Sequence, residues 1–152
     1  MNPWLLYKPA ITLVGLPLMD GELSKRYDAL WDQLAARYAE IPHADPDQGY
    51  GLHSLADDAY AYLAGLAVGR VDVIPEGMTA RLLPANTYAV FVHNGRIAHL
   101  PQTVEQVFAA WLPSSSYQLA GDFYFEHYDD RFQPGSAESV ISLYVPVSER
   151  LT

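Results

Sequence analysis

The stretch DFYFEHYDD, residues 122–130, places one glutamate among aromatic rings in a sequence that is typical of a β-strand. Because side chains alternate along a strand, Tyr124, Glu126 and Tyr128 share one face. A carboxylate in an apolar, ring-walled space is unfavourable unless it is paired or protonated, and the nearest basic residue, Arg131, lies toward the strand's end. An organic cation would supply the missing partner, and each well-placed ring would add about 0.5–2 kcal/mol of cation–π attraction. The pattern predicts a cation site, with the alternative that an edge strand turns Glu126 toward water.

Length, composition and charge restrict the remaining function classes. Of the 152 residues 50% are hydrophobic and 18% charged, so residues 1–152 are expected to form one globular domain. A formal net charge of −9 argues against a nucleic-acid surface and suits a cationic ligand or a basic protein partner. The absence of cysteine excludes disulfides, and the histidines lack the i, i+4 spacing of a zinc site, so no metal or other cofactor is expected. The absence of a leader and of a long apolar run favours a cytoplasmic location without membrane contact.

Two amphipathic helices are predicted, at about residues 21–41 and 100–112, and their apolar side chains recur at identical offsets. Asp20 is the predicted N-cap of the first helix, and TVEQ, residues 103–106, fits a capping box in the second. The turn-rich HADPDQG, residues 43–49, follows the first helix. A shift of 77 residues superposes the two helices.

Nearly the same shift superposes strand-like runs on both sides of each helix. Each half then has the order strand–helix–strand–strand, with turns at Asp57 and Asp58 in one half and at residues 133–135 in the other. This repeated order indicates an internal duplication of about residues 9–72 and 78–148. The prediction is an α+β fold in which two modules, related by a pseudo-twofold axis, form an antiparallel sheet with two main helices. The six predicted strands are PAITLVGL (9–16), GYGLHSL (49–55), YLAGLAV (62–68), NTYAVFVH (86–93), FYFEHYDD (123–130) and SVISLYV (139–145).

Several stretches also carry a resemblance to a known family, namely IPEGMTARLLPANTYAVFVHNG, TVEQVFAAWLPSSSY, FYFEHYDDRF and ISLYVPV. In this order the chain resembles the GyrI-like (gyrase-inhibitor-like) small-molecule-binding superfamily, which includes effector-binding domains of AraC-type and MerR-type transcription regulators. The resemblance extends from about Ala10 to Val147 and is strongest in the second half. It implies two strand–helix–strand–strand modules with a ligand cleft between them.

The resemblance also implies which side chains face the ligand. In the family, the glutamate at the position of Glu126 lies in the cleft and faces ligands that include cationic drugs. Trp111 matches the tryptophan that ends the family's helix, and Tyr144 matches the tyrosine of its last strand. Tyr88 is added from the first strand of the second half, and Tyr50 from the first-half position that corresponds to Glu126. The predicted ligand-binding residues are Glu126, Tyr128, Tyr144, Trp111, Tyr88, Tyr50 and Tyr124, with one carboxylate in the cleft.

Three functions remain open at this point. The leading hypothesis is a freestanding protein that senses or sequesters a small organic cation or aromatic amphiphile, without direct nucleic-acid binding, since no helix-turn-helix is evident. A hydrolase of strained electrophilic natural products would use Glu126 as general base, and Tyr128 or Tyr144 would steady the leaving oxygen. A DNA gyrase inhibitor would use a protein surface, and the acidic charge would suit a basic partner.

Overall fold

The fold is built on an antiparallel sheet, in a computed structural model that describes residues 2–19, 23–55 and 60–151. The strands of this described part are β1 (Trp4–Lys8), β2 (Ile11–Leu18), β3 (Ala44–Ser54), β4 (Tyr62–Val68), β5 (Thr79–Leu83), β6 (Asn86–Asn94), β7 (Tyr117–Leu119), β8 (Phe123–Tyr128) and β9 (Val140–Glu149). The helical segments are α1 (Leu23–Ala35), a 3₁₀ turn (Tyr38–Glu40), a second 3₁₀ turn (Ile97–His99), α2 (Leu100–Gln106), a π turn (Val107–Trp111) and α3 (Leu112–Ser114). The last four follow one another without a break.

In the strand order, most strands of the second half of the chain lie on one side of the sheet, and most strands of the first half lie on the other. The order runs β1-β6-β9-β8-β3-β4-β2-β5, with antiparallel pairing throughout, and β7 adds to β9 outside this order. The two halves meet where β8 pairs with β3. Each outermost strand pairs with a strand from the other half of the chain, since β1 pairs with β6 and β5 pairs with β2. The predicted α+β class and antiparallel sheet are confirmed, while the pseudo-twofold relation and the duplication stay predictions.

Each main helix covers the strands of its own half. The apolar stripe of α1 buries Leu30 and Leu34 against Leu66 of β4. In the second half, Val107 of the π turn packs among buried side chains of β6 and β9, including Phe91. Burial of each such side chain stabilises the fold by about 1.5–3 kcal/mol. An apolar stripe at helical spacing contributes through several such side chains. The two helices leave a groove between them, and β3 and β8 form its floor.

All six predicted strands are present, and the structure adds β1, β5 and β7. Strands β1 and β5 have five residues each and lie at the two ends of the strand order, and β7 has three residues. None of the three is long enough to show a long alternating pattern. Most of the turn-rich segment 43–49 belongs to β3, where a bulge between Ala44 and Gly49 absorbs the extra residues.

The predicted capping box at residues 103–106 is wrong, because α2 already begins at Leu100. Thr103 lies inside this helix, and its hydroxyl oxygen is 2.7 Å from Nδ1 of His93. The predicted N-cap Asp20 and the predicted turn at Asp57 and Asp58 lie outside the described residues. Within the described part of the chain, no helix combines the length and apolarity that a bilayer crossing needs.

Candidate functional site

Glu126 lies at the centre of the sheet rather than at its edge. Strand β8 is flanked by β3 and β9, and Glu126 is only 5% exposed, so the alternative of an edge carboxylate in water is wrong. Its partner across the β3–β8 pair is Gly51. A Cβ atom at Gly51 would lie 2.8 Å from Oε1 of Glu126 and 2.5 Å from the hydroxyl oxygen of Tyr62. The missing side chain therefore makes room for the carboxylate.

The carboxylate of Glu126 has two hydrogen-bond partners among the residues that the structure describes. The Tyr128 hydroxyl donates to Oε1 at 2.7 Å, and Nε2 of His53 lies 2.9 Å from Oε2, where an Nε2–H donates. The expectation that only an arriving cation would partner the carboxylate is therefore corrected. Arg131 does not serve it, because its guanidinium donates to Asp129. A neutral imidazole and a phenol can hydrogen-bond to a carboxylate, but neither cancels its charge.

His53 is held in place by aromatic rings. Its imidazole stacks on Tyr124 with ring centroids 4.5 Å apart and planes within 6°. Tyr62 meets the imidazole edge-on at 4.9 Å, and Tyr27 of α1 does so at 6.3 Å. These contacts follow from register, because His53 lies opposite Tyr124 in the β3–β8 pair and so shares the face of Glu126.

The tyrosines around Glu126 stay protonated at neutral pH. Burial and the charge of Glu126 raise the pKa of Tyr128 well above its ordinary value, and they do the same for Tyr62. The same two causes raise the pKa of Tyr27 to about 12 and move that of Tyr124 in the same direction. Each hydroxyl therefore remains a donor, and each ring presents a neutral face or edge to a bound molecule.

Helix α1 contributes a further ring, which is tied to the floor of the groove. Nε1 of Trp31 donates to the Tyr62 hydroxyl at 2.9 Å, and the indole meets the ring of Tyr128 edge-on at 5.6 Å. The partly buried Trp31 belongs to α1, and Tyr62, which is 2% exposed, belongs to β4. This bond therefore links the helix to β4. The spacing of Tyr27 and Trp31 along α1, one turn apart, directs both rings toward the groove.

These groups surround a cavity of about 400 Å³, which we name the inner cavity. Its volume lies within the range of small-molecule sites. The carboxylates of Glu126 and Asp28 line it, and its described lining contains no lysine or arginine. The predicted single carboxylate is therefore corrected to two, of which Asp28 is exposed. The full lining is Tyr27, Asp28, Trp31, His53, Tyr62, Ile97, Leu100, Pro101, Val104, Tyr124, Glu126 and Tyr128.

Three of the seven predicted ligand-binding residues meet in this cavity, namely Tyr124, Glu126 and Tyr128. The structure places the other four elsewhere: Tyr50, Tyr88, Tyr144 and Trp111. The first three belong to the core on the opposite face of the sheet, where the ring of Tyr144 stacks on Phe125 at 4.7 Å.

Strand register explains this separation. Tyr50 lies opposite His127, and Tyr144 lies opposite Phe125, so each takes the face away from Glu126. Trp111 instead packs edge-on against Phe91 at 5.0 Å, within the core of the second half.

Several lining residues were not predicted as ligand-binding residues. Tyr27 and Trp31 lie at helical spacing in the first predicted helix, and both rings carry a polar atom, which is the signal in the sequence that could have identified them. His53 and Tyr62 reach the cavity only through the register of β3 with its neighbours. Among the described residues, no group of three or more histidines, aspartates and glutamates is arranged to hold a metal ion.

The chain is 28% identical to the transcriptional regulator BrlR of Pseudomonas aeruginosa over 150 residues, which are 97% of this chain and 56% of the regulator. The chain thus spans about half the length of this curated relative.

Solved structures share the fold. SAV2435 bound to tetraphenylphosphonium superposes with a TM-score of 0.77 at 18% identity, covering 97% of this chain and 94% of that one. The C-terminal domain of EcmrR superposes with a TM-score of 0.68 at 16% identity, covering 98% of each chain. The family model of the GyrI-like small molecule binding domain matches residues 1–148, and the chain therefore belongs to the GyrI-like family of small-molecule-binding domains.

Proposed function

We propose that this domain binds organic cations and cationic aromatic amphiphiles in the inner cavity, to sense or sequester them. The observation that carries the proposal is a buried carboxylate, 5% exposed, whose contacts among the described residues are hydrogen-bond donors and aromatic rings rather than a lysine or an arginine. A bound cation would neutralise the charge that His53 and Tyr128 only solvate. The binding of tetraphenylphosphonium to SAV2435, which shares the fold, supports this class of ligand.

The expected interaction energies indicate that charge, more than ring contact, determines which ligands bind. At a separation of about 6 Å and an effective dielectric constant near 20, a cation and a carboxylate attract by about 3 kcal/mol, or roughly a hundredfold in affinity. Cation–π contact adds about 0.5–2 kcal/mol for each ring that presents its face. Rings specify little about ligand shape, so the site is expected to accept many aromatic cations.

Quenching of tryptophan fluorescence by tetraphenylphosphonium tests the proposal, because Trp31, one of the three tryptophans of the chain, lines the cavity. We expect saturable binding to the wild type and an affinity that is about tenfold to a hundredfold lower in Glu126→Gln. Glu105→Gln is the matched control, since Glu105 is an exposed carboxylate of α2 outside the cavity lining. The proposal fails if Glu126→Gln and Glu105→Gln bind the cation as tightly as each other.

Hydrolysis of strained electrophiles is a second candidate, favoured by the 2.7 Å contact of Tyr128 with Glu126. A general base needs a free lone pair directed at a water, and the carboxylate oxygens of Glu126 keep such positions beside their two donors. Tyr144, the other tyrosine predicted for this role, lies on the opposite face of the sheet. Incubation with a cyclopropane-bearing alkylator, followed by mass analysis, separates turnover from sequestration, since only turnover yields free ligand with one added water.

Two further expectations concern macromolecular partners. Inhibition of DNA gyrase stays a prediction, and a supercoiling assay with the purified domain checks it. The absence of direct nucleic-acid binding also stays a prediction, and it rests on the net charge of −9.

A further inference from the structure

A second cavity adjoins the inner one at the open end of the groove. It has a volume of about 740 Å³ and lies between α1, the start of β3 and the loop that follows β8; we name it the outer cavity. The two cavities share four lining residues, which are Asp28, Trp31, Ile97 and Tyr128. Because the same side chains border both spaces, the two cavities are neighbours, and a long molecule in the inner cavity would reach toward the outer one.

Aromatic rings continue along the wall from one cavity to the next. Trp31 contacts Tyr128 at 5.6 Å, and Tyr128 contacts Phe132 at 4.9 Å, both edge-on. Tyr38 lines the outer cavity from the segment after α1. This arrangement offers apolar contact for a linker or a second aromatic group over the whole path.

The charges in the outer cavity have one sign. Asp28, Asp32, Asp47 and Asp129 line it, and its described lining contains no lysine or arginine. Asp129 is already paired with Arg131, whose Nη2 lies 2.8 Å away. The carboxylates of the other three are exposed and have no ion-pair partner within the described part of the chain. The α1 spacing of Asp28, one turn before Asp32, puts both beside the indole of Trp31.

We propose that the inner and outer cavities form one two-part site whose preferred ligands are elongated dications, with an aromatic cation above Glu126 and a second cationic group among the outer aspartates. This inference rests on the proposed function for its first half. The second half has its own basis, namely a ring-walled cavity that adjoins the first and carries three carboxylates without an ion-pair partner among the described residues. A single cation leaves these carboxylates uncompensated, whereas the second charge of a dication compensates them.

The test compares two ligands of equal shape. Each carries a triphenylphosphonium group and a polymethylene linker, which ends in trimethylammonium in the dication and in tert-butyl in its isosteric monocation. A series of linker lengths locates the best span. In the wild type at low ionic strength, we expect the dication to bind about fivefold or more tightly than the monocation at the best length, because each exposed ion pair adds up to about 1 kcal/mol.

The variant Asp32→Asn/Asp47→Asn changes residues that line only the outer cavity. It is expected to bring the dication-to-monocation ratio close to one and to leave the affinity for the monocation within about twofold. Glu105→Gln/Glu138→Gln removes the same charge from exposed positions outside both cavities and should keep the ratio. Circular dichroism verifies that each variant is folded.

The inference is overturned if the wild type shows no preference for the dication at any linker length, or if both double variants lose the preference equally. Glu126→Gln separates this result from the proposed function. If cation binding at Glu126 is correct, this variant weakens both ligands by the same factor. If it weakens neither, the proposed function fails, and the ratio in Asp32→Asn/Asp47→Asn still reports on the outer cavity.

Discussion

Strand β8 presents two faces of similar size and opposite character. On one face, Phe123 and Phe125 are 1% and 0% exposed and pack into an apolar core. On the other, Tyr124 and Tyr128 stand on either side of Glu126 and border a cavity. Aromatic rings occupy both faces, so aromatic content does not distinguish the core from the site.

The difference lies in what the polar atoms reach. On the cavity face, the hydroxyl of Tyr128 and Nε2 of His53 converge on one carboxylate. On the core face, the imidazole of His127 stacks on Tyr50 and bonds to Gln48, and the buried residues that the structure describes on this face include no carboxylate. A region lined by aromatic rings is therefore a candidate binding site when the polar atoms of its side chains converge on one carboxylate and a cavity lies next to that carboxylate.

The largest expected effect is on stability and belongs to the core face. Phe125→Ala removes a ring that contacts Tyr50, Tyr88 and Tyr144, so the free energy of unfolding should fall by about 3–5 kcal/mol. Urea unfolding measures this loss. Phe125→Leu is the milder variant if Phe125→Ala does not fold, and its affinity for tetraphenylphosphonium should stay within about twofold of the wild type. A strong loss of affinity in Phe125→Leu would mean that the two faces are not independent.

A matched pair of hydroxyl deletions compares the faces directly. Tyr128→Phe removes a donor from a buried carboxylate and should lower the free energy of unfolding by about 1.5–3 kcal/mol. Tyr50→Phe removes a hydroxyl that makes no side-chain hydrogen bond within the described residues, so its effect should stay within about 0.5 kcal/mol. Thermal and urea unfolding check both variants. Equal losses would show that the Tyr128 hydroxyl contributes nothing specific to Glu126.

The space opposite Glu126 offers a smaller test. In Gly51→Ala the new methyl group would crowd the Tyr62 hydroxyl and Oε1 of Glu126, so one of them must shift and lose a hydrogen-bond partner. The affinity for tetraphenylphosphonium should fall by about fivefold, which corresponds to about 1 kcal/mol. Gly69→Ala is the control, because a Cβ atom there meets nothing within 4 Å. Identical affinities in the two variants would argue that the position of the carboxylate is unimportant.

The smallest expected effect is a dependence of stability on pH at the core face. Burial lowers the pKa of His127, so the unfolded chain takes up a proton at a higher pH than the folded protein does. The contribution of His127 to stability is complete above the ordinary imidazole pKa and declines as pH falls toward the lowered value. Melting temperatures between pH 7.5 and pH 5 should therefore drop less in His127→Gln than in the wild type. An equal drop would locate the acid sensitivity in other groups.

Much of the fold was predictable because its causes are local. Alternation located β8 and assigned its two faces, and helical periodicity located α1 and α2. Two of the three strands that were not predicted, β1 and β5, are short and owe their position to partners in the other half of the chain. Their pairing is a tertiary effect, which a local pattern does not encode.

The site was predictable only in part, for the same reason. The family resemblance and the alternation of β8 together identified Glu126, Tyr124 and Tyr128. Which face a tyrosine of another strand takes depends on register, and a shift by one residue reverses it. Register places Tyr144 beside Phe125, and it brings His53, 73 residues away in sequence, to Glu126.

The central claim is that the charge of Glu126, rather than ring area, selects the ligand. Its most direct test measures the affinities of methyltriphenylphosphonium and uncharged triphenylphosphine oxide for the wild type and for Glu126→Gln. The account predicts that the wild type prefers the cation by at least about tenfold and that Glu126→Gln binds the two compounds almost equally. The same preference in both proteins would contradict the account.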